Sequence, residues 1–306
     1  MLTVTDPTRA GLLPLRPLTT GELLDGAFTL LRSRLRPLVG LGALLAVVEQ
    51  AVLFPLRRWS DQDLSLFPAT HRLSQFALLV VAAFATEAAV IAILGGVAAT
   101  SAPRALLGSR APATPPAPAG GPASAVLPVA VAAAITAAVA ALTAIPFVLV
   151  LDRWQWFGFV AAGFFTMLAW PIPYGLLGLG AAVAVIERRG PLSAVWRGLR
   201  LAGRMGMRTG WIRCLGYVNW LILRVAIYGA VIGLVTLVVE PSSSTMDNLV
   251  MAAAAVLVNC LAYPALACLD VLLVLEARMR TEGLDLALRR DRSRGVSSEA
   301  SLWAAR

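Results

Sequence analysis

Lysine is absent from the chain and histidine occurs once, as His71. With one histidine and no paired carboxylate motif, the sequence offers no metal centre, and no cofactor is expected. Cysteine is almost as scarce. Cys214, Cys260 and Cys268 lie in or beside apolar runs without CxxC spacing, which argues against a disulfide framework or zinc site and for small packing residues. Charge is the largest deficit: 14% of the 306 residues are charged and 58% are hydrophobic, where a soluble domain carries about 25% charged residues. A larger core cannot absorb that difference, because a soluble protein of this length still needs a polar surface. Walker A, GxSxG and HExxH motifs are missing, and no polar segment is long enough for a catalytic domain of ordinary size. The expectation is a protein that is not an enzyme.

What the chain has in abundance is apolar length. Mean hydropathy is +0.78, and several runs approach the roughly 20 residues that cross about 30 Å of hydrocarbon as a helix. Strand-like alternation is missing and the runs are rich in Ala, Leu and Val, so a β-barrel is not expected. The predicted fold class is all-α integral membrane, with about six transmembrane helices and two cytoplasmic amphipathic in-plane helices in one domain over 19–280. Spans are expected at about 37–56, 75–99, 125–151, 156–187, 211–239 and 249–277. Residues 1–18 read as a flexible polar tail without the order of a secretory signal, and 281–306 as a basic cytoplasmic tail. The Pro-rich stretch from Ser101 to Ser124 reads as a flexible linker, and Trp170-Pro171-Ile172-Pro173 predicts a kink in span four.

Two segments are amphipathic. Thr19 and Glu22 have the T-x-x-E spacing of a capping box, opening a helix to about Leu35 with Leu23, Leu24, Ala27, Phe28, Leu31 and Leu35 on one face. That face can lie in the membrane interface or pack on the protein's own bundle. Over 190–210, Pro191 suits a first helical position, and Arg197, Arg200, Arg204 and Arg208 recur at spacings of three and four. These four are the expected contacts for anionic lipid of the cytoplasmic leaflet or for an acidic partner.

The net charge of +9 is carried by arginine alone. The arginines flank the spans, so orientation and anionic lipid explain them better than nucleic acid does. With the N-terminus inside, 21 arginines fall on the cytoplasmic side and four (Arg57, Arg58, Arg72, Arg153) outside, with Arg224 within a span. The positive-inside rule therefore places both termini in the cytoplasm.

Ionisable groups inside spans are functional candidates because each costs at least about 2.5–3.5 kcal/mol at the bilayer centre on the insertion scale. Glu49, Glu87 and Arg224 fall near mid-membrane depth. They predict a buried ion pair between one of the acids and Arg224, extended by Gln50, Asn219 and Asn259. Asp270 lies nearer the cytoplasmic face, within reach of Arg278 or Arg213. Such a set either fixes helix registry or lines a substrate or proton path. Gly229-x-x-x-Gly233, and the Ala88, Ala92, Gly96 repeat, permit close helix contact within the bundle or in a homo-oligomer.

Three segments resemble a bacterial family named after the membrane domain of glycerophosphoryl diester phosphodiesterase: Arg16 to Phe28 (RPLTTGELLDGAF), Val185 to Trp196 (VIERRGPLSAVW) and Leu275 to Leu286 (LEARMRTEGLDL). They follow the family's order along most of the chain. The resemblance implies a multi-pass plasma-membrane domain of unknown function. The diesterase chemistry belongs to a separate barrel with paired histidines and acidic metal ligands, which this chain does not contain. Members of this kind look like accessory membrane components.

The leading functional expectation is thus a non-enzymatic accessory or scaffold component of a bacterial plasma-membrane assembly, in contact with membrane lipids and other membrane proteins. The alternative is a small transporter using Glu49, Glu87 and Arg224. A lipid-acting membrane enzyme ranks behind both, for want of a nucleophile–base set.

Overall fold

The structure, a computed structural model, describes residues 13–59, 73–107, 123–153, 177–238 and 244–294. Helices account for the architecture, and no strand occurs among the described residues. In chain order they are α1 (Thr20–Ser33), α2 (Leu35–Trp59), α3 (Leu73–Ala99), α4 (Ala102–Leu107), α5 (Ala123–Arg153), α6 (Leu179–Ile186), α7 (Pro191–Arg204), α8 (Met207–Val238), α9 (Ser244–Glu282) and α10 (Leu284–Ser293). Four helices among the described residues are long and apolar enough to cross a membrane, in α2, α3, α8 and α9.

Local sequence accounts for the helix ends. The Thr19 hydroxyl accepts from the Glu22 N–H, and Glu22 accepts from the Thr19 N–H at 2.8 Å, so the predicted capping box forms. Gly283 takes φ +63° and separates α9 from α10, a conformation open to glycine at little cost. Gly206, at φ +62°, makes the same sharp turn between α7 and α8.

α9 is the pillar of the bundle, packing against α1, α2, α3, α6, α7, α8 and α10. Small residues set how closely its neighbours approach. A Cβ at Gly42 of α2 would lie 2.8 Å from Pro264 Cγ and 3.1 Å from the Cys260 carbonyl, so α2 touches the backbone of α9 there. Gly96 of α3 meets Val129 of α5 in the same way, and Ala92 packs with Ala132, Ala133 and Ala181. The small-residue repeat of span two is therefore spent on contacts inside the bundle. Gly180 and Gly198 let α6 and α7 cross with their backbones in contact. Gly229 of α8 is different, exposed and with nothing within 4 Å of a Cβ placed on it.

Several expectations change. The proposed linker begins later: Ala102–Leu107 is helical, with Ala102, Ala105, Leu106 and Leu107 buried. Pro103 is tolerated because it sits in the first turn, where its missing N–H has no partner to lose. The basic tail is not all tail either. Leu284 and Leu288, one turn apart, bury one face of α10 in the main core. Nor is 1–18 a free tail throughout, because Leu13, Leu15 and Leu18 are buried in the main core. On α1, Leu23, Ala27, Leu30 and Leu31 are buried and Gly26 is tight against Leu272, while Phe28 and, just past its end, Leu35 stay exposed. The span-four kink at Trp170 to Pro173, the loop containing His71 and most of the Pro-rich stretch lie outside the described residues.

Candidate functional site

Two polar clusters are buried in this bundle, one midway along the spans and one at an arginine-rich end. The middle cluster draws one or two residues from each of the four span-length helices. Glu49 comes from α2, Thr86 and Glu87 from α3, Tyr217 and Arg224 from α8, and Asn259 and Tyr263 from α9. Arg224 Nη2 lies 2.7 Å from Glu87 Oε1, with the two side chains 15% and 10% exposed and the paired atoms themselves buried. The N–H is not aimed along that line, so this is an ion pair rather than a linear hydrogen bond. Tyr217 Oη is 3.3 Å from Glu87 Oε2. The Arg224 guanidinium also lies over two aromatic faces, 5.0 Å from the Tyr263 ring and 5.7 Å from the Tyr217 ring, which stabilises a cation away from water.

Glu49 has other neighbours. Tyr263 Oη stands 2.9 Å from its Oε1 and 2.8 Å from its Oε2, and accepts a hydrogen bond from Asn259 Nδ2 at 2.8 Å. Thr86 Oγ1 is 3.3 Å from Glu49 Oε1 but closer to the carbonyls of Ala82 and Ala83, at 2.8 and 3.0 Å. No cation forms an ion pair with Glu49 among the described residues.

Further along the bundle, Arg213 grips Asp270 with Nε–Oδ1 at 2.5 Å and Nη2–Oδ2 at 2.8 Å, both side chains 1% exposed. The guanidinium lies against Gly178, where a Cβ would stand 1.9 Å from Arg213 Cζ. Only glycine admits that approach.

The arginine-rich end is built on Glu187, Glu276 and Glu282, with side chains 0%, 0% and 5% exposed. Glu187 receives Arg197 through Nε at 3.0 Å and Nη2 at 3.1 Å, Arg189 at 2.8 Å and Arg278 at 3.6 Å. Glu282 also binds Arg197, with Arg278 at 3.3 Å and Arg204 at 3.9 Å. Burial works against the Arg197 charge, but its bonds to Glu187 and Glu282 outweigh that effect and raise its pKa. Glu276 pairs with Arg280 and accepts the Leu18 N–H at 2.7 Å. Arg208 and Arg280 each donate to the Leu18 carbonyl at 3.0 Å, and Arg289 donates to the Leu15 carbonyl. The stretch before α1 is thereby strapped across the C-terminal end of α9 and onto α10.

Of the residues expected inside the spans, the structure brings together Glu49, Glu87, Arg224 and Asn259. Gln50 instead accepts from Arg57, seven residues along the same helix. Asn219 lies on the exposed face of α8, one position out of step with the Tyr217–Arg224 face. Asp270 takes Arg213, while Arg278 turns to Glu187 and Glu282. The basic helix divides. Arg200 is exposed, 5.2 Å over the Trp196 ring, and Arg204 is half-exposed. Arg197 is 7% exposed and locked between two carboxylates, and Arg208 holds the strap. Arg197 thus leaves the set of lipid-contacting candidates, because α7 buries its small face of Ala194, Gly198 and Ala202 and carries Arg197 inward with it.

Tyr217, Thr86 and Tyr263 were missed, since hydroxyls inside apolar runs give no signal by charge. The end cluster was not singled out either, although Glu187, Glu276 and Glu282 stand near the ends of two apolar runs. No protein family, curated protein or solved structure matches the chain.

Proposed function

We propose that the chain is a non-enzymatic accessory or scaffold component of a bacterial plasma-membrane assembly. In this reading it spans the membrane about six times, and the arginine-rich end faces the cytoplasm. The supporting observation is the end cluster, where three buried glutamates draw arginines from α7, α8 and α9 and the segment after α6 into one lattice. Buried charges saturated in this way hold elements in register and leave no acid free for chemistry. The rim of that lattice is basic: Arg204 and Arg280 are 54% and 38% exposed. Alongside it α7 turns Leu192 and Trp196 outward, 71% and 55% exposed. An aromatic beside arginines on a helix surface suits the boundary between anionic headgroups and acyl chains.

A second reading, a small transporter, is favoured by one observation: Glu49, Glu87 and Arg224 meet at mid-length of three helices, with Tyr263 of a fourth against Glu49. Intramembrane ionisable groups mark substrate or proton paths in many carriers.

The deciding experiment is purification from native membranes in gentle detergent, alongside an Arg200→Gln/Arg204→Gln variant. A stoichiometric protein partner held by the wild type and weakened in the variant supports the assembly role. A chain that purifies alone and carries solute across proteoliposome membranes overturns it.

A further inference from the structure

The middle cluster holds two carboxylates and one guanidinium, and the hydrogens around Glu49 reveal which acid has no counter-charge. Thr86 has one hydroxyl hydrogen. Its oxygen lies 2.8 Å from the Ala82 carbonyl and 3.0 Å from the Ala83 carbonyl, and a carbonyl can only accept. That hydrogen is taken by the backbone, so the Thr86 oxygen, 3.3 Å from Glu49 Oε1, has no further hydrogen to give it and is free to accept one. Tyr263 also has one hydroxyl hydrogen, yet its oxygen sits within 2.9 Å of both Glu49 oxygens. A carboxylate placed so would receive a single hydrogen where its two oxygens offer about four acceptor sites. A neutral carboxyl fits: one oxygen accepts from Tyr263, while the other carries a hydrogen toward Thr86 or the Tyr263 oxygen.

Charge counting agrees. The groups that act on Glu49 from the packed helices are Thr86 and Glu87 on α3, Arg224 on α8 and Tyr263 on α9, with Tyr217 and Asn259 one contact further out. On α2 itself Arg57 stands two turns away and donates to Gln50. Arg224 is taken by Glu87 at 2.7 Å. A second uncompensated anion at 4% exposure would cost several kcal/mol.

We infer that Glu49 is a proton-binding site, occupied at neutral pH, with Tyr263 and Thr86 as its hydrogen-bonding partners and the Glu87–Arg224 pair as a fixed, charge-balanced neighbour. This inference stands whether the protein acts as scaffold or carrier.

Infrared spectroscopy of the purified full chain in lipid, at pH 7, tests it. A carboxylic C=O band that shifts in D2O and disappears in Glu49→Gln is the expected result. Glu49→Gln should also keep near-wild-type stability, since an amide reproduces both the acceptor and the donor of the neutral acid. A wild-type spectrum with carboxylate bands alone overturns the inference, as does a carboxylic band that survives Glu49→Gln. Should Glu49→Gln give no folded protein, Glu49→Asp provides the same test, with a displaced band expected and an unchanged one refuting the assignment.

Discussion

Arg213→Met is the sharpest test of how the buried charges contribute to stability. The Arg213–Asp270 contact is bidentate, 2.5 and 2.8 Å, and both side chains are 1% exposed. Removing the guanidinium strands a carboxylate that water does not reach, which costs roughly 3–5 kcal/mol. At about 1.4 kcal/mol per tenfold change in an equilibrium constant, the folded-to-unfolded ratio falls by roughly two to three and a half orders of magnitude. Asp270→Leu strands the arginine and is expected to lose a similar amount. The double variant leaves no buried charge at the site, and methionine still fills the volume beside Gly178, so it should recover most of the loss. Reversible unfolding of the four proteins in one detergent gives the coupling energy directly. Single and double losses that simply add, with coupling below about 0.5 kcal/mol, would refute the reasoning.

The other predictions concern separate elements. Gly42→Ala places a methyl 2.8 Å from Pro264 and 3.1 Å from the Cys260 carbonyl, so thermal unfolding should show a loss of about 1–3 kcal/mol; Gly40→Ala on the same helix meets nothing within 4 Å and should be near neutral. The backbone N–H of Thr19, and then Arg16, hold the Glu22 carboxyl below its ordinary 4.5. Its contribution to α1 is therefore complete above about that pH and lost as pH falls through the lowered value, and Glu22→Gln should flatten the pH dependence of amide exchange at the start of the helix. Glu87→Gln strands Arg224 and should lower folded yield; a variant with unchanged stability but abolished flux in proteoliposomes would favour the transporter instead.

How far the sequence reached depends on the physical signal each feature leaves. The Thr19 capping box, span-length apolar helices and an ion pair between Arg224 and one of two mid-span acids follow from spacing or from charge in an apolar context. The structure contains the box, four such helices among the described residues where six spans are expected, and the pair with Glu87. Helix α4 was hidden because proline and alanine beside a Pro-rich stretch look alike in and out of a first turn. The misplaced Asn219 shows the limit of counting depth alone: it lies within two turns of Arg224, yet its direction around α8 takes it out of the bundle. Arg197 shows the same limit on α7, where arginines at helical spacing looked like one solvated face. The helix turns its side of alanine and glycine inward, because only small residues let α7 cross α6 at Gly180 and Gly198. The arginine on that side must then find carboxylates.

The two buried clusters answer the same electrostatic problem with opposite excesses. At the arginine-rich end cations outnumber acids, with Arg189, Arg197, Arg204, Arg208, Arg278 and Arg280 around Glu187, Glu276 and Glu282. That surplus reaches the surface, where water or anionic headgroups can balance it: Arg204, Arg280, Arg208 and Arg189 are each between 34% and 54% exposed. In the middle the surplus is acidic and enclosed, since Glu49 is 4% exposed and Glu87 holds the nearest guanidinium. No counter-ion from solvent can correct that excess, so the smallest correction is a proton on the acid that lacks an arginine. The same physics that makes the end cluster a fastener therefore makes the middle cluster protonatable, and a scaffold can carry such a site without being a carrier. Glu49→Gln should leave assembly intact, whereas breaking Glu276 from Arg208, Arg280 and the Leu18 N–H should not.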